Sequence, residues 1–197
     1  MIQRTSHDKT SMTAIFTNPN LFVFSGGPGC GKTTVLTELT KLGLPCVPEV
    51  ARQIIQEQVA SGGTALPWND RAAYTDLMLR RSIDSYLAHA CATQPTLFDR
   101  GIPDTLGYAR LIGLRETAAI EHAIQTYRYA PVVFIPPPWE EIYSTDTERK
   151  QDFVEAERTF CVVSKAYEDC GYRVVLLPKT TPASRAQFIL KTVKLTR

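Results

Sequence analysis

Gly26-Gly27-Pro28-Gly29-Cys30-Gly31-Lys32-Thr33 joins a run of small residues to a lysine and a hydroxyl. The run satisfies the spacing G-x-x-x-x-G-K-[ST] in full, and that spacing suits the holding of a polyphosphate. Glycines let the backbone wrap closely around phosphate oxygens with no Cβ in the way. Lys32 has the reach to neutralise β- and γ-phosphates, and Thr33 can place its hydroxyl on Mg²⁺. A glycine-rich turn can carry Lys-Thr by chance, so the flanking elements decide. Leu21-Phe22-Val23-Phe24 upstream is a short apolar run of strand composition. Downstream, Val35, Leu36, Leu39 and Leu42 recur at helical spacing. The loop therefore lies between a buried strand and a helix N-terminus, where free N–H groups and the positive end of the helix dipole favour an anion. The expected ligand is a nucleoside triphosphate, ATP with Mg²⁺, held by Gly26 through Thr34.

A chain of 197 residues suits one domain, able to bury roughly 70% of its unfolded surface. A formal net charge of +2 gives no strong attraction to nucleic acid or to an anionic membrane. No stretch has the length and apolarity of a bilayer span. Residues 1–20 are polar, lack the apolar centre of a signal peptide, and are expected to form a flexible arm. The five cysteines form no C-x-x-C pair, which argues against a disulfide framework or zinc site and fits a reducing, cytoplasmic compartment. The three histidines have no partners at metal-ligand spacing. Cys30 has two readings: a thiol activated by the helix N-terminus and Lys32, or a small filler in a loop whose backbone does the binding.

Apolar runs at Leu21–Phe24, 45–48, 95–99, 131–135 and 172–177 read as five strands. Helical patterns read over 34–42, 49–61, 70–92, 103–112, 116–129, the residues leading to Gly171, and 183–194. Gly43 suits a left-handed C-cap, and Asn69 can cap the long third helix. Strands alternating with helices predict a three-layer α/β sandwich around a five-stranded parallel sheet, spanning residues 21–197. Ligands in such sheets lie outside the carboxyl ends of the strands. Glu49 and Asp99 both stand just after a strand. Asp99 is then the expected Mg²⁺ carboxylate; capping a helix or pairing with Arg100 is the structural alternative.

Phe98-Asp99-Arg100-Gly101-Ile102-Pro103-Asp104, taken with Pro48-Glu49-Val50-Ala51-Arg52, resembles a known family: small single-domain predicted ATPases grouped as an "AAA domain" family. Its characterised relatives are similar to ribosylnicotinamide kinases, within the wider class of P-loop nucleoside and nucleotide kinases. The likeness runs through Ser25 to Thr34, Leu66-Pro67-Trp68, Asp146 to Lys150 and Gly171 to Pro178. It implies a kinase-like P-loop NTPase fold and site. By that resemblance Glu49 accepts the proton of a substrate hydroxyl. Arg52, one turn on, holds acceptor charge, and Asp99-Arg100 is the acid–Arg pair of the third strand. Asp146, Arg149 and Lys150 belong to a charged lid around residues 139–152. Each has a structural counterpart: Glu49 and Arg52 can pair as i, i+3 neighbours, and Arg149 and Lys150 can form a solvated helix face. Trp68 reads as core or interface before base stacking. Asp104 and Tyr108 either line the acceptor site or, for Asp104, cap a helix.

The leading reading is an ATP-dependent kinase for a nucleoside-, nucleotide- or vitamin-like acceptor. Lys32, Mg²⁺, Arg100 and Arg149 would surround the γ-phosphoryl, with Glu49 as base. The alternative is a regulatory ATPase or nucleotide switch with no small acceptor; a binding scaffold without turnover also stays open. The third strand ends Asp99-Arg100 and so lacks the second acidic residue of motor ATPases. Asp104-Thr105-Leu106-Gly107 fits D-x-x-G, but it does not directly follow a strand and no N-K-x-D accompanies it. A GTPase is therefore excluded. Acceptor identity and oligomeric state stay open.

Overall fold

A computed structural model of the protein describes residues 15–142 and 153–195. In chain order the elements are β1 (Phe16–Thr17), β2 (Leu21–Phe24), α1 (Lys32–Lys41), β3 (Cys46–Val47), α2 (Val50–Ser61), α3 (Arg71–Ala88) and β4 (Thr96–Asp99). There follow α4 (Ile102–Leu111), α5 (Ala118–Thr126), β5 (Tyr127–Arg128), β6 (Val132–Ile135), α6 (Phe153–Asp169), β7 (Arg173–Leu176) and α7 (Pro182–Leu195). A single 3-10 turn covers Glu140–Ile142. The main sheet has the order β3-β4-β2-β6-β7, parallel throughout. The five-stranded sheet expected from the sequence is therefore present.

Side-chain alternation along β2 explains the layers. Leu21 and Val23 point to one face, where they join Phe98, Ile102, Val133, Val163 and Tyr167 beneath α4, α5 and α6. Phe22 and Phe24 point to the other, joining Leu97, Phe134, Val35, Leu39, Ile189 and Val193 beneath α1 and α7. Register places Phe24 beside Asp99 and beside Phe134. The ends of the three central strands are thus level, and the loops that follow them share one edge.

Departures from the sequence reading have local causes. Residues 15–20, assigned there to the arm, include docked backbone: Phe16–Thr17 pairs with Tyr127–Arg128 in a small parallel sheet. Those pairings draw Tyr127–Arg128 out of the helix expected to reach Tyr129. Asn18 Nδ2 donates to the Ala90 and Ala92 carbonyls at 2.9 and 3.0 Å. These carbonyls lie past Ala88, so α3 ends short of residue 92 and its trailing turn is held by a side chain instead. Asp70, not Asn69, caps α3, accepting from Ala73 N at 2.9 Å. Gly43 and Gly62 take φ of 83° and 68° after their helices, the left-handed conformation a C-terminal cap asks for. No helix among the described residues is long and apolar enough to cross a membrane.

Gly107, the glycine of the D-x-x-G decoy, lies inside α4. A Cβ there would come 3.1 Å from Val163 Cγ2 on α6, so the glycine sets how closely the two helices approach. Gly107→Val should overpack this contact by roughly 1–3 kcal/mol. That lowers Tm by roughly 2–12 °C for a domain of this size, measured by thermal denaturation. An unchanged Tm would show that the helices separate without cost.

Candidate active site

The loop between β2 and α1 is built on left-handed glycines: Gly26, Gly29 and Gly31 have φ of 133°, 73° and 80°. It is also tightly lodged. A Cβ on Gly26 would meet Pro136 Cδ at 3.1 Å, and one on Gly27 would meet the Ala156 carbonyl at 3.3 Å. Gly31 is the N-cap of α1 and brings no side-chain hydrogen bond to it, so the first-turn N–H groups keep their capacity for an anion. Thr33 and Thr34 are exposed, and Thr34 Oγ1 donates to the Gly31 carbonyl at 2.8 Å. The Cys30 thiol is 5% exposed and donates to the Gly27 carbonyl at 2.8 Å. That placement matches the filler reading and not an accessible thiol.

Glu49 is the N-cap of α2, directly after β3. Its ion-pair partner is Arg100, whose Nε donates to Glu49 Oε1 at 2.6 Å. The i, i+3 pair with Arg52 weighed from the sequence is therefore not formed; Arg52 is exposed. Burial alone would raise the Glu49 carboxyl, but Arg100, Lys32 and Arg52 outweigh it and hold it below the ordinary glutamate range. Asp99 goes the other way. Burial pushes its carboxyl up, with Glu49 and Asp104 adding to the rise against Lys32 and Arg100. Its Oδ1 is buried without a hydrogen-bond partner, an orphaned acceptor of the kind a cation takes up. The capping alternative weighed for Asp99 is not formed, since Gly101 occupies the N-cap of α4.

Arg100 has φ of 73°, the one non-glycine residue with positive φ among those described. Such backbone is uncommon for a large side chain and persists where its surroundings enforce it. Here the Arg100 N–H donates to the Phe24 carbonyl at 3.0 Å, while Nη1 donates to Asp104 Oδ1 at 3.2 Å. Burial works against the guanidinium charge, but Glu49, Asp104 and Asp99 more than restore it.

Asp104, read from the sequence as either a helix cap or part of the acceptor site, is 4% exposed. It does cap α4, accepting from Gly101 N on Oδ2 at 2.8 Å. It also accepts from Ser25 Oγ on Oδ1 and from Tyr167 on Oδ2, both at 2.5 Å. Burial and then the Asp104 charge push the Tyr167 phenol well above its usual range, so it stays a donor. Tyr167 was not singled out from the sequence, since it sits in no motif, and Ser25 entered only as the first residue of the Ser25 to Thr34 stretch, with no role of its own. Tyr108 crosses Tyr74 edge-on, with ring centroids 5.4 Å apart, and its hydroxyl is buried with no partner. Trp68 is 64% exposed, so it is not a core residue. Asp146, Arg149 and Lys150 lie outside the described residues. Among those described, no three His, Cys, Asp or Glu gather as a metal cluster.

The fold recurs in solved structures. The NadR protein in complex with NR superposes with a TM-score of 0.67 at 18% identity, over 92% of this chain and 51% of that one. The chain thus spans about half the length of that relative. Thymidylate kinase from Ehrlichia chaffeensis superposes with a TM-score of 0.57 at 14% identity, over 88% and 97% of the two chains. At such identities the likeness is one of fold alone. No curated protein sequence gives a significant match. The family is settled by the sequence itself: residues 21–185 match the model described as AAA domain, and the chain belongs to that family.

Proposed function

We propose that the chain is an ATP-dependent phosphotransferase, cytoplasmic, acting on a small nucleoside-, nucleotide- or vitamin-like acceptor. The observation that carries this reading is the strand-end cluster beside the phosphate loop. An ionised Glu49 is fixed by Arg100, an orphaned Asp99 carboxylate stands next to it, and the Lys32 charge acts on both. A site for phosphate binding alone has no use for a second, oriented carboxylate.

In this reading residues 21–197 form one nucleotide-binding domain with a lid around 139–152. The backbone of Gly26 to Gly31 and the first turn of α1 bind the phosphates, with Lys32 neutralising their charge. Glu49 accepts the proton of the acceptor hydroxyl. Its low carboxyl keeps it ionised at neutral pH, and Arg100 keeps it in one orientation. Thr33 and Asp99 would hold Mg²⁺ together with the substrate's phosphates, and the ion would supply charge neutralisation as the phosphoryl group transfers. The Asp99 carboxylate fits that use, because a buried oxygen with no donor is stabilised by a cation. Arg149 would add a further positive charge from the lid.

Three outcomes follow from this assignment. Mg-ATP at about a hundredfold over its Kd should add roughly 2.7 kcal/mol of stability, a Tm rise of roughly 5–10 °C. Lys32→Ala should abolish most of that rise while keeping the apo Tm; an equal rise in the variant sinks the phosphate-loop assignment. The acceptor is found by screening nucleosides, nucleotides and vitamin-like compounds for stimulated ADP release. With it in hand, Glu49→Gln should lower turnover by roughly 10²–10⁴-fold at near-unchanged Mg-ATP affinity, and Asp99→Asn should instead raise the Mg²⁺ requirement. Equal weakening of ATP binding by both variants removes the case for a base. In the wild type, acidification should raise the Mg²⁺ requirement at a higher pH than an ordinary aspartate would impose, because burial favours the protonated form of Asp99. Titrating Mg²⁺ at a series of pH values, with Asp99→Asn as the pH-insensitive control, checks this.

A further inference from the structure

A second arginine approaches the loop from the opposite face of the sheet. Arg185 stands in the first turn of α7 and is 2% exposed. Its Nε donates to the Pro178 carbonyl at 2.9 Å, and Nη1 donates to the Cys30 carbonyl, inside the phosphate loop, at 3.0 Å. Nη2 is buried and has no hydrogen-bond partner. The guanidinium carbon lies 4.9 Å from the centroid of the Trp139 ring. A Cβ built on Gly31 would come 3.5 Å from Nη1, so the group sits beside the end of the loop that opens into α1.

Among the described residues no carboxylate pairs with Arg185. Burial disfavours its charge and lowers its pKa, yet a guanidinium does not surrender its proton in a protein. Carbonyl oxygens and an aromatic face are weak substitutes for an anion. Elsewhere the same molecule deals with a partly buried arginine by pairing it: Arg100 has two carboxylates. A cation left without one, with a spare donor, against a loop of phosphate-binding pattern, lacks a partner that the ligand can bring.

We propose that Arg185 is a nucleotide-binding residue, its Nη2 donating to an anionic oxygen of the bound nucleoside polyphosphate, with Trp139 covering the guanidinium until that oxygen displaces the indole. The inference rests on reading Gly26–Thr33 as a nucleoside triphosphate site. It adds a contact from α7, at the far side of the loop from Glu49 and Asp99. The competing role is a mechanical tie between α7 and the loop. The two roles differ in the ligand-free protein. A tie is stabilising, so removing it lowers the apo Tm. An unpaired buried cation is costly, so replacing it with an apolar side chain of similar length leaves the apo Tm level or raises it.

The test is Arg185→Met beside wild type, in a Trp68→Phe background so that Trp139 reports alone. Thermal melts, isothermal titration with Mg-ATP and indole fluorescence are measured. The expected result is an apo Tm at or above the parent, a Mg-ATP Kd raised about tenfold or more, and loss of the Trp139 fluorescence change that Mg-ATP produces in the parent. Arg185→Lys, which keeps the charge, should recover part of the affinity. Unchanged affinity in Arg185→Met overturns the inference while leaving the phosphate-loop reading intact. An affinity loss matched by an equal loss of apo stability assigns Arg185 to the tie and overturns it as well. Absence of Mg-ATP binding in the parent refutes the nucleotide-site reading, and the inference falls with it.

Discussion

The buried carboxylate of Asp104 is the interaction on which the geometry of the site depends. Its two oxygens accept from Ser25, Arg100, Gly101 and Tyr167. Those donors come from the end of β2, the end of β4, the start of α4 and the last turn of α6. One charge therefore fixes where the phosphate loop begins, how α4 leaves the sheet and how α6 lies over both. The arrangement is favourable only when complete. At 4% exposure the side chain depends on these hydrogen bonds, and removing it would strand several buried donors at roughly 1–3 kcal/mol each. That asymmetry makes Asp104 a constraint and not merely a contribution to stability.

From Asp104 the constraint passes outward through Arg100. Its left-handed backbone turns the chain abruptly after β4, and the turn brings the guanidinium between Asp104 and Glu49. Arg100 thus converts the fixed position of a buried acid into the fixed position of a partly exposed one. Glu49 itself begins α2, and its helix packs only a small cluster, Ala51, Ile54, Tyr74 and Met78, against α3. Without the arginine, the orientation of Glu49 would rest on that small contact. The sheet contributes the rest: level strand ends are a consequence of parallel register, and register is set by which side chains face which core.

Much of this was legible in the sequence because it is local. The glycine-rich loop between a strand and a helix, the strand Leu21–Phe24 and the strand-end positions of Glu49 and Asp99 all follow from patterns within a few residues. The partner of Glu49 was not legible, because the nearest basic residue in sequence is Arg52 and the actual one stands 51 residues away. Arg185 was further still, 155 residues from the carbonyl it reaches, on a helix whose sequence reads as an ordinary amphipathic one. Asp104 was misleading in a different way. Its spacing to Gly107 imitates a nucleotide motif, whereas the glycine serves close helix packing and the acid serves the network. A pattern specifies residue types at a spacing, and the same spacing satisfies a helix turn as readily as a ligand loop. The small β1–β5 sheet was hidden for a related reason: a two-residue strand has no period to detect.

Opposite treatment of two neighbouring carboxylates gives the cluster its character. Both Glu49 and Asp99 lose solvent, and both feel Lys32 and Arg100. Glu49 has the guanidinium at hydrogen-bond distance, so attraction exceeds desolvation and the acid is held low. Asp99 has no donor on Oδ1, and the two acids beside it, Glu49 and Asp104, repel it, so desolvation dominates and the acid is held high. Pairing is therefore spent on one carboxylate and withheld from the other. The unpaired one keeps a stake in any positive charge that arrives, whether proton or metal ion, while the paired one is already committed to being an anion. The split in their environments follows from where a single arginine points, and that direction is set one residue layer deeper, by Asp104.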